Sequence, residues 1–378
     1  MNEKRPSTSG PIQLELFHST KQLNLSEAYE NIPKDVAPND PDIIWKDDTF
    51  ALPVKKTFTV EGETFVSEIK PAMLEDSKTG KNRNIFPYFR ELRLEYALIS
   101  LASKQWLSVD YDGKGVPSYK LSVTYYQIQK EIVEAINRLE GKTLKPNDCP
   151  YNTSSIREGL QVLAESTIVV HKASEAGGKG TVTFRRINAL YTDEGRTTIV
   201  FGDMISSYIS SGDWNVADAH SILASKTYYT MKLKTLLHLK FRYAKKGAFY
   251  NPSLSHLIEK IGFREYENAR ETRRKMAELL ESLPEVDHVD ILHKREGRTI
   301  VDTVYHIFPS ETFITSMIEA NQLNKRAKNA LIDRESEQVL IEPLERDFPS
   351  HRAYEEAKRD YDVRKGKILY ARRHLPSK

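Results

Sequence analysis

The chain has 378 residues with a formal charge of +3, so its length predicts two domains and its net charge by itself identifies no nucleic-acid partner. With 39% apolar and 29% charged residues it can bury cores beneath a solvated surface. No apolar run approaches the ~18 residues of a membrane span and the opening has no leader-like segment, so the expectation is a cytoplasmic protein without membrane contact. Cys149 stands alone, which excludes an intrachain disulfide and a cysteine-based zinc site.

Residues 1–50 are rich in Ser, Asn, Asp and Pro and predict a flexible arm, interrupted by the apolar cluster Ile12 to Phe17. A first domain is expected over 51–206. It opens with a hairpin around Glu61-Gly62-Glu63. A helix follows from Tyr88 to Lys104, with Leu92, Leu94, Leu98 and Leu101 at helical spacing, then a strand and a helix burying Ile128, Ile132 and Ile136. A third helix is capped by Asn152 or Thr153, with Ile156, Leu160 and Leu163 inward. The strands TIVVHK and TVTFRRINALY, joined through AGGKG, close the unit as a hairpin.

A second domain, 207–316, repeats the order: a long helix over 221–244, helices over 251–263 and 266–283, then a hairpin turning at Glu296-Gly297. The repeat is of architecture, not of letters. Residues 317–378 read as a charged tail. The fold class expected is therefore α+β, two tandem winged-helix domains between an arm and a tail.

Three helices followed by a β-hairpin is the winged variant of helix-turn-helix, in which the third helix enters the major groove and the hairpin reaches the flanking backbone. On the last helix Ala269, Thr272, Met276 and Leu280 form the core stripe, so Arg270 and Arg274 point outward, with Arg273 and Lys275 beside them. In the first unit Ser154, Arg157, Glu158 and Gln161 are left outside. Arg and Gln suit guanine and adenine edges, or phosphates. The wings add Lys172, Lys179, Arg185 and Arg186 in the first unit and Lys294, Arg295 and Arg298 in the second. The competing reading is a solvated face whose Arg and Glu pair along the helix.

Enzymatic readings fail on inventory. The histidines form no His-x-His or His-Glu-x-x-His, and the glycines at 177, 178 and 180 lack phosphate-loop spacing, so no catalytic residue, metal or cofactor is expected. Tyr125-Tyr126 and Tyr228-Tyr229 lie in amphipathic segments and read as core.

Gln13-Leu14-Glu15-Leu16-Phe17 resembles the pentapeptide by which bacterial factors dock on the sliding clamp, with Glu15 where Ser or Asp is preferred. Leu16 and Phe17 would fill an apolar pocket, while Gln13 and Leu14 complete the motif. With this peptide, the two winged units, LSVTYYQIQKEI at 121–132 and ENARETRRKMAELLESL at 267–283, the chain resembles the winged-helix plasmid replication initiators, those of broad-host-range IncP plasmids most of all. The resemblance implies a non-enzyme that binds repeated origin sites in double-stranded DNA, helps open the duplex and recruits the sliding clamp, a replicative helicase and a host initiator. It also implies an interchange of homodimer and monomer. A winged-helix transcriptional repressor is the alternative, and needs no clamp peptide.

Overall fold

A computed structural model describes residues 22–322, except 48, 61, 76–78, 105–106, 112–116, 174–180, 212–214 and 243–246, together with residues 350, 351, 354, 355, 358, 359 and 362. Contacts divide the chain into two units, Met1–Asn321 and Gln322–Lys378. In the second, described residues between 351 and 362 are helical, with the Lys358 ammonium 5.5 Å from the Tyr354 ring centroid.

The first unit is α+β. It begins with β1 (Gln22–Leu25) and the short helix α1 (Glu27–Glu30), whose cap Ser26 accepts from the Tyr29 amide. Two hairpins follow, β2 (Val54–Val60) with β3 (Glu63–Lys70) and β4 (Ala72–Glu75) with β5 (Asn82–Ile85). The first turns at Gly62, whose φ of 84° an L side chain resists.

Next come α2 (Phe89–Lys104), β6 (Ser108–Tyr111), β7 (Pro117–Val123), α3 (Tyr125–Glu140) and α4 (Thr153–Glu165). A reciprocal Thr124/Gln127 capping box starts α3, and Asn152 caps α4 by accepting from the Ser155 amide at 2.8 Å. Helix α4 lies close on α2 at Gly159, where a Cβ would stand 2.5 Å from Leu94 Cδ1.

Four strands complete this half: β8 (Thr167–Lys172), β9 (Val182–Phe184), β10 (Ile187–Asp193) and β11 (Arg196–Phe201). They enter two antiparallel sheets, β2-β3-β8-β9 and β10-β11-β7-β6. The strand expected over 181–191 thus breaks at Arg185-Arg186 and serves both sheets. Gly202 closes against the break, since a Cβ there would meet the Arg185 carbonyl oxygen at 1.8 Å.

The chain continues through α5 (Asp203–Ser211), β12 (Asn215–Asp218), α6 (Ala219–Leu223), α7 (Tyr228–Lys240), α8 (Leu254–Ile261), α9 (Ala269–Glu281), β13 (Val286–Glu296) and β14 (Thr299–Pro309). Tyr250 and Ser253 bridge to β14, and the helical stretch 311–322 buries Phe313 and Met317 in the second core. Two winged-helix arrangements result, α2-α3-α4 with β8-β9 and α7-α8-α9 with β13-β14.

Several expectations need correction. Residues 22–47 are not an arm: β1 pairs with β12, and Tyr29, Lys34 and Val36 are buried. The long helix over 221–244 is two helices, interrupted at 224–227, where Thr227 accepts from the Thr230 amide and caps α7. The boundary drawn at 206/207 falls inside α5. Helix α6 and Met231 belong to the first core, while Leu233, Leu236 and Leu237 belong to the second, so α7 is buried between two cores, with Lys232 and Lys234 among its buried side chains. Ala269, assigned to the core stripe, is exposed at the first turn of α9.

Candidate nucleic-acid interface

On α4, burial of Ile156, Leu160 and Leu163 leaves Ser154, Arg157 and Gln161 exposed together. Glu158 is drawn toward α2 and β5, 3.3 Å from Arg90 and 3.0 Å from Arg83. The acid that stands beside Arg157 in sequence is thereby neutralised by other elements, and Arg157 has no acidic partner among the described residues.

The guanidinium of Arg157 instead lies 6.0 Å from the Tyr125 ring centroid, within reach of a cation–π contact. Burial raises the Tyr125 hydroxyl's pKa, but hydrogen bonds with Thr197, Arg157 and Thr192 hold it below its ordinary value. The first residue of α3 and the β10-β11 hairpin thus orient a cation on α4. Tyr126 is exposed rather than core, whereas Tyr228 is buried.

On α9 the cations divide. Arg270 is exposed, its amide donating to Asn268 Oδ1 at 2.9 Å. Arg274 donates from Nε to Glu271 at 3.0 Å and is also paired with Glu278, while Lys275 stands 3.2 Å from Glu278. Hydrogen bonding to Arg274 holds the Glu271 carboxyl below its ordinary pKa. Arg270 and Arg273 have no ion-pair partner among the described residues. The Arg273 carbonyl accepts from the Tyr305 hydroxyl at 3.1 Å, fixing helix to wing; burial pushes that hydroxyl up to about 12.

The wings differ too. Lys294, Arg295 and Arg298 are exposed on β13 and the turn at Gly297, whose φ is 61°. In the first unit Arg185 is exposed and Lys172 is 2.8 Å from Glu63 on β3. Lys179 lies outside the described residues, as do Gln13, Leu14, Leu16 and Phe17.

Arg186 is not a wing contact. It is 1% exposed, with Nη1 3.1 Å from Glu95 and Nη2 donating to the Lys34 carbonyl at 2.6 Å. A guanidinium held by a buried carboxylate and a backbone carbonyl cannot reach phosphate without leaving an unpaired charge behind. Around it Tyr29 donates to Glu95 at 2.7 Å, and Lys34 is 2.8 Å from Glu30. Asp35 accepts from Tyr228 at 2.6 Å and faces Lys232 at 3.4 Å. Burial would raise the Asp35 carboxyl, but Lys232, Lys34 and Arg186 outweigh it and lower its pKa. This network ties residues 29–35 to α2 and α7.

Sequence reading missed Tyr125, Arg83 and Arg90 as neighbours of α4. The β10-β11 hairpin, with Tyr191 60% exposed, also escaped notice. A signal existed for the hairpin in Glu194-Gly195 between two β-rich runs, where Glu194 and Gly195 take φ of 46° and 79°. No described helix is long and apolar enough to cross a membrane, and no described group of three or more His, Cys, Asp or Glu could hold a metal.

The fold and the exposed helices define an α+β protein with two winged-helix units. No protein-family model and no curated protein matches the chain. Among solved structures, domains 2 and 3 of RctB are similar over 78% of this chain and 99% of that one, at 13% identity and a TM-score of 0.42. The Pi initiator protein in complex with iteron DNA is similar over 59% and 91%, at 16% identity and a TM-score of 0.39.

Proposed function

We propose that the chain is a plasmid replication initiator that binds repeated sites in double-stranded origin DNA, helps open the adjacent duplex and recruits host replication proteins. The observation that carries the reading is the pair of third helices in one compact unit, one exposing Arg157 and Gln161, the other Arg270, with exposed Arg185 on the first wing and Lys294, Arg295 and Arg298 on the second. Base edges would be read from the helices and phosphates held by the wings. Ser154, Arg273, Arg274, Lys275 and Lys172 complete the proposed interface. Gln13, Leu14, Leu16 and Phe17 would dock on the sliding clamp, with a replicative helicase and a host initiator as further partners.

The test uses the full chain and its Leu16→Ala/Phe17→Ala variant, which removes the two apolar anchors. Mobility shifts on origin DNA should be unchanged by the double substitution, while clamp binding by calorimetry and replication of an origin plasmid should be lost. Normal replication by the variant, with repression of a nearby promoter by the parent, would replace the initiator by a repressor.

A further inference from the structure

We propose that Arg93, Ser225 and Tyr151 hold a compact inorganic anion of the size of chloride, where α2, the break ahead of α7 and the loop ahead of α4 meet. Three arginines of the first unit differ in how their charge is met. Arg186 faces Glu95 at 3.1 Å, and Arg90 faces Glu91 at 2.6 Å and Glu158 at 3.3 Å. Arg93 is 6% exposed and has no carboxylate partner among the described residues. Burial opposes the charge of all three. The acids outweigh it at Arg186 and Arg90, whose pKa values rise, whereas at Arg93 nothing does and the pKa falls.

The surroundings of Arg93 take up its hydrogens only in part. Nη2 donates to the Ser225 carbonyl, and the Tyr151 hydroxyl is also hydrogen-bonded to the guanidinium. The ring centroids of Phe89 and Tyr151 lie 4.3 and 5.6 Å from it, and aromatic faces attract a cation without neutralising it. Nε is buried without a hydrogen-bond partner. So is the hydroxyl of Ser225, the residue whose carbonyl the guanidinium already holds. Orphaned buried polar groups are uncommon. Here two of them belong to residues in direct contact, beside an unbalanced charge.

No described group of the chain supplies the missing negative charge. Burial pushes the Cys149 thiol and the Tyr151 hydroxyl up, so both stay protonated at neutral pH. Glu91, whose charge also acts on Tyr151, is held by Arg90 and by the Tyr88 amide at 2.9 Å. The groups left over are donors: the Arg93 Nε hydrogen can only be given, and the two hydroxyls can turn a hydrogen toward an acceptor. Water would accept these hydrogens but brings no charge, whereas an anion does both. So few donors in so buried a place suit a monatomic or similarly compact ion rather than phosphate, whose several oxygens would each need a partner. Tyr151 immediately precedes the α4 cap Asn152, and Ser225 lies just ahead of the α7 cap Thr227. The ion would therefore tie the start of α4 to the helix shared by the two cores.

The experiment is chloride NMR line broadening by the full chain, by Arg93→Met and by Ser225→Ala, with urea unfolding of each as chloride replaces methanesulfonate at constant ionic strength. The parent should broaden the line saturably and gain stability with chloride, and Arg93→Met should do neither. Ser225→Ala keeps the cation but loses a donor, and should bind chloride about tenfold more weakly. Bromide should displace chloride from the parent, and inorganic phosphate should not. A parent without saturable broadening, a chloride response shared equally by all three chains, or displacement by phosphate as readily as by bromide would each overturn the proposal. If Arg93→Met does not fold, Ser225→Ala decides, and an unchanged chloride affinity in that variant overturns the site.

Discussion

Helices α4 and α9 are both 13 residues long and occupy equivalent places in their units, yet they present charge in opposite ways. Helix α9 carries Arg270, Arg273, Arg274 and Lys275, but Arg274 and Lys275 are held by Glu271 and Glu278 on the same surface. Helix α4 carries Arg157, whose neighbouring acid is bound by Arg83 and Arg90 and whose guanidinium rests on Tyr125. The number of cations on a helix is therefore a poor guide to how many are available. In α4 tertiary contacts occupy the acid and leave the cation oriented; in α9 the helix's own spacing pairs them.

The largest expected effect concerns a cation with no part in that surface. Arg186→Ala leaves Glu95 buried without its guanidinium and should destabilise the first winged unit by roughly 3 to 5 kcal/mol, read from urea unfolding. A variant of normal stability with weakened DNA binding would return Arg186 to the wing. Next, Arg157→Ala should weaken specific DNA binding by ~1 to 3 kcal/mol. Tyr125→Phe should cost a fraction of that, and nothing further when Arg157 is already alanine; additive losses would separate the two residues.

A smaller effect tests α9. Glu271→Gln with Glu278→Gln frees Arg274 and Lys275, so binding to all sequences should tighten and the dependence on salt should steepen by about one unit of log–log slope for each new phosphate contact. An unchanged slope would mean that Arg274 leaves its carboxylates for DNA in the parent chain.

The smallest effect lies in the helix shared by the two cores. His238 is buried on α7, its Nδ1 2.8 Å from the Lys234 carbonyl oxygen and its ring against Phe313, and burial lowers its pKa below 6.5. Below that unfolded value the unfolded chain takes up the proton first. The stabilisation is therefore complete above pH 6.5 and is lost as pH falls toward the folded value. Burial lowers His220 and His256 in the same sense, so His238→Gln should flatten only part of the decline, on the order of 1 kcal/mol, in unfolding midpoints between pH 7 and 5. An unaltered profile would remove His238 from the balance.

Periodicity and a capping residue made the helices legible: α2, α3, α4, α8 and α9 all lie within the stretches that apolar spacing and Asn152 mark out. Their outward faces follow from the same spacing, which is why Arg157, Gln161 and Arg270 are exposed where expected. These properties are local, set by a 100° turn per residue and by the nearest amides. Other features depend on residues far apart in sequence. Arg185 and Arg186 are adjacent letters, but Glu95, 91 positions away, decides that one is buried. Residues 22–47 have the composition of an arm, yet β12 and the Glu95 and Lys232 side chains hold them to the fold. Polar residues can fold inward only when another group replaces the water they lose, and for Arg186, Tyr29 and Asp35 that group is distant in sequence and belongs to the tertiary structure.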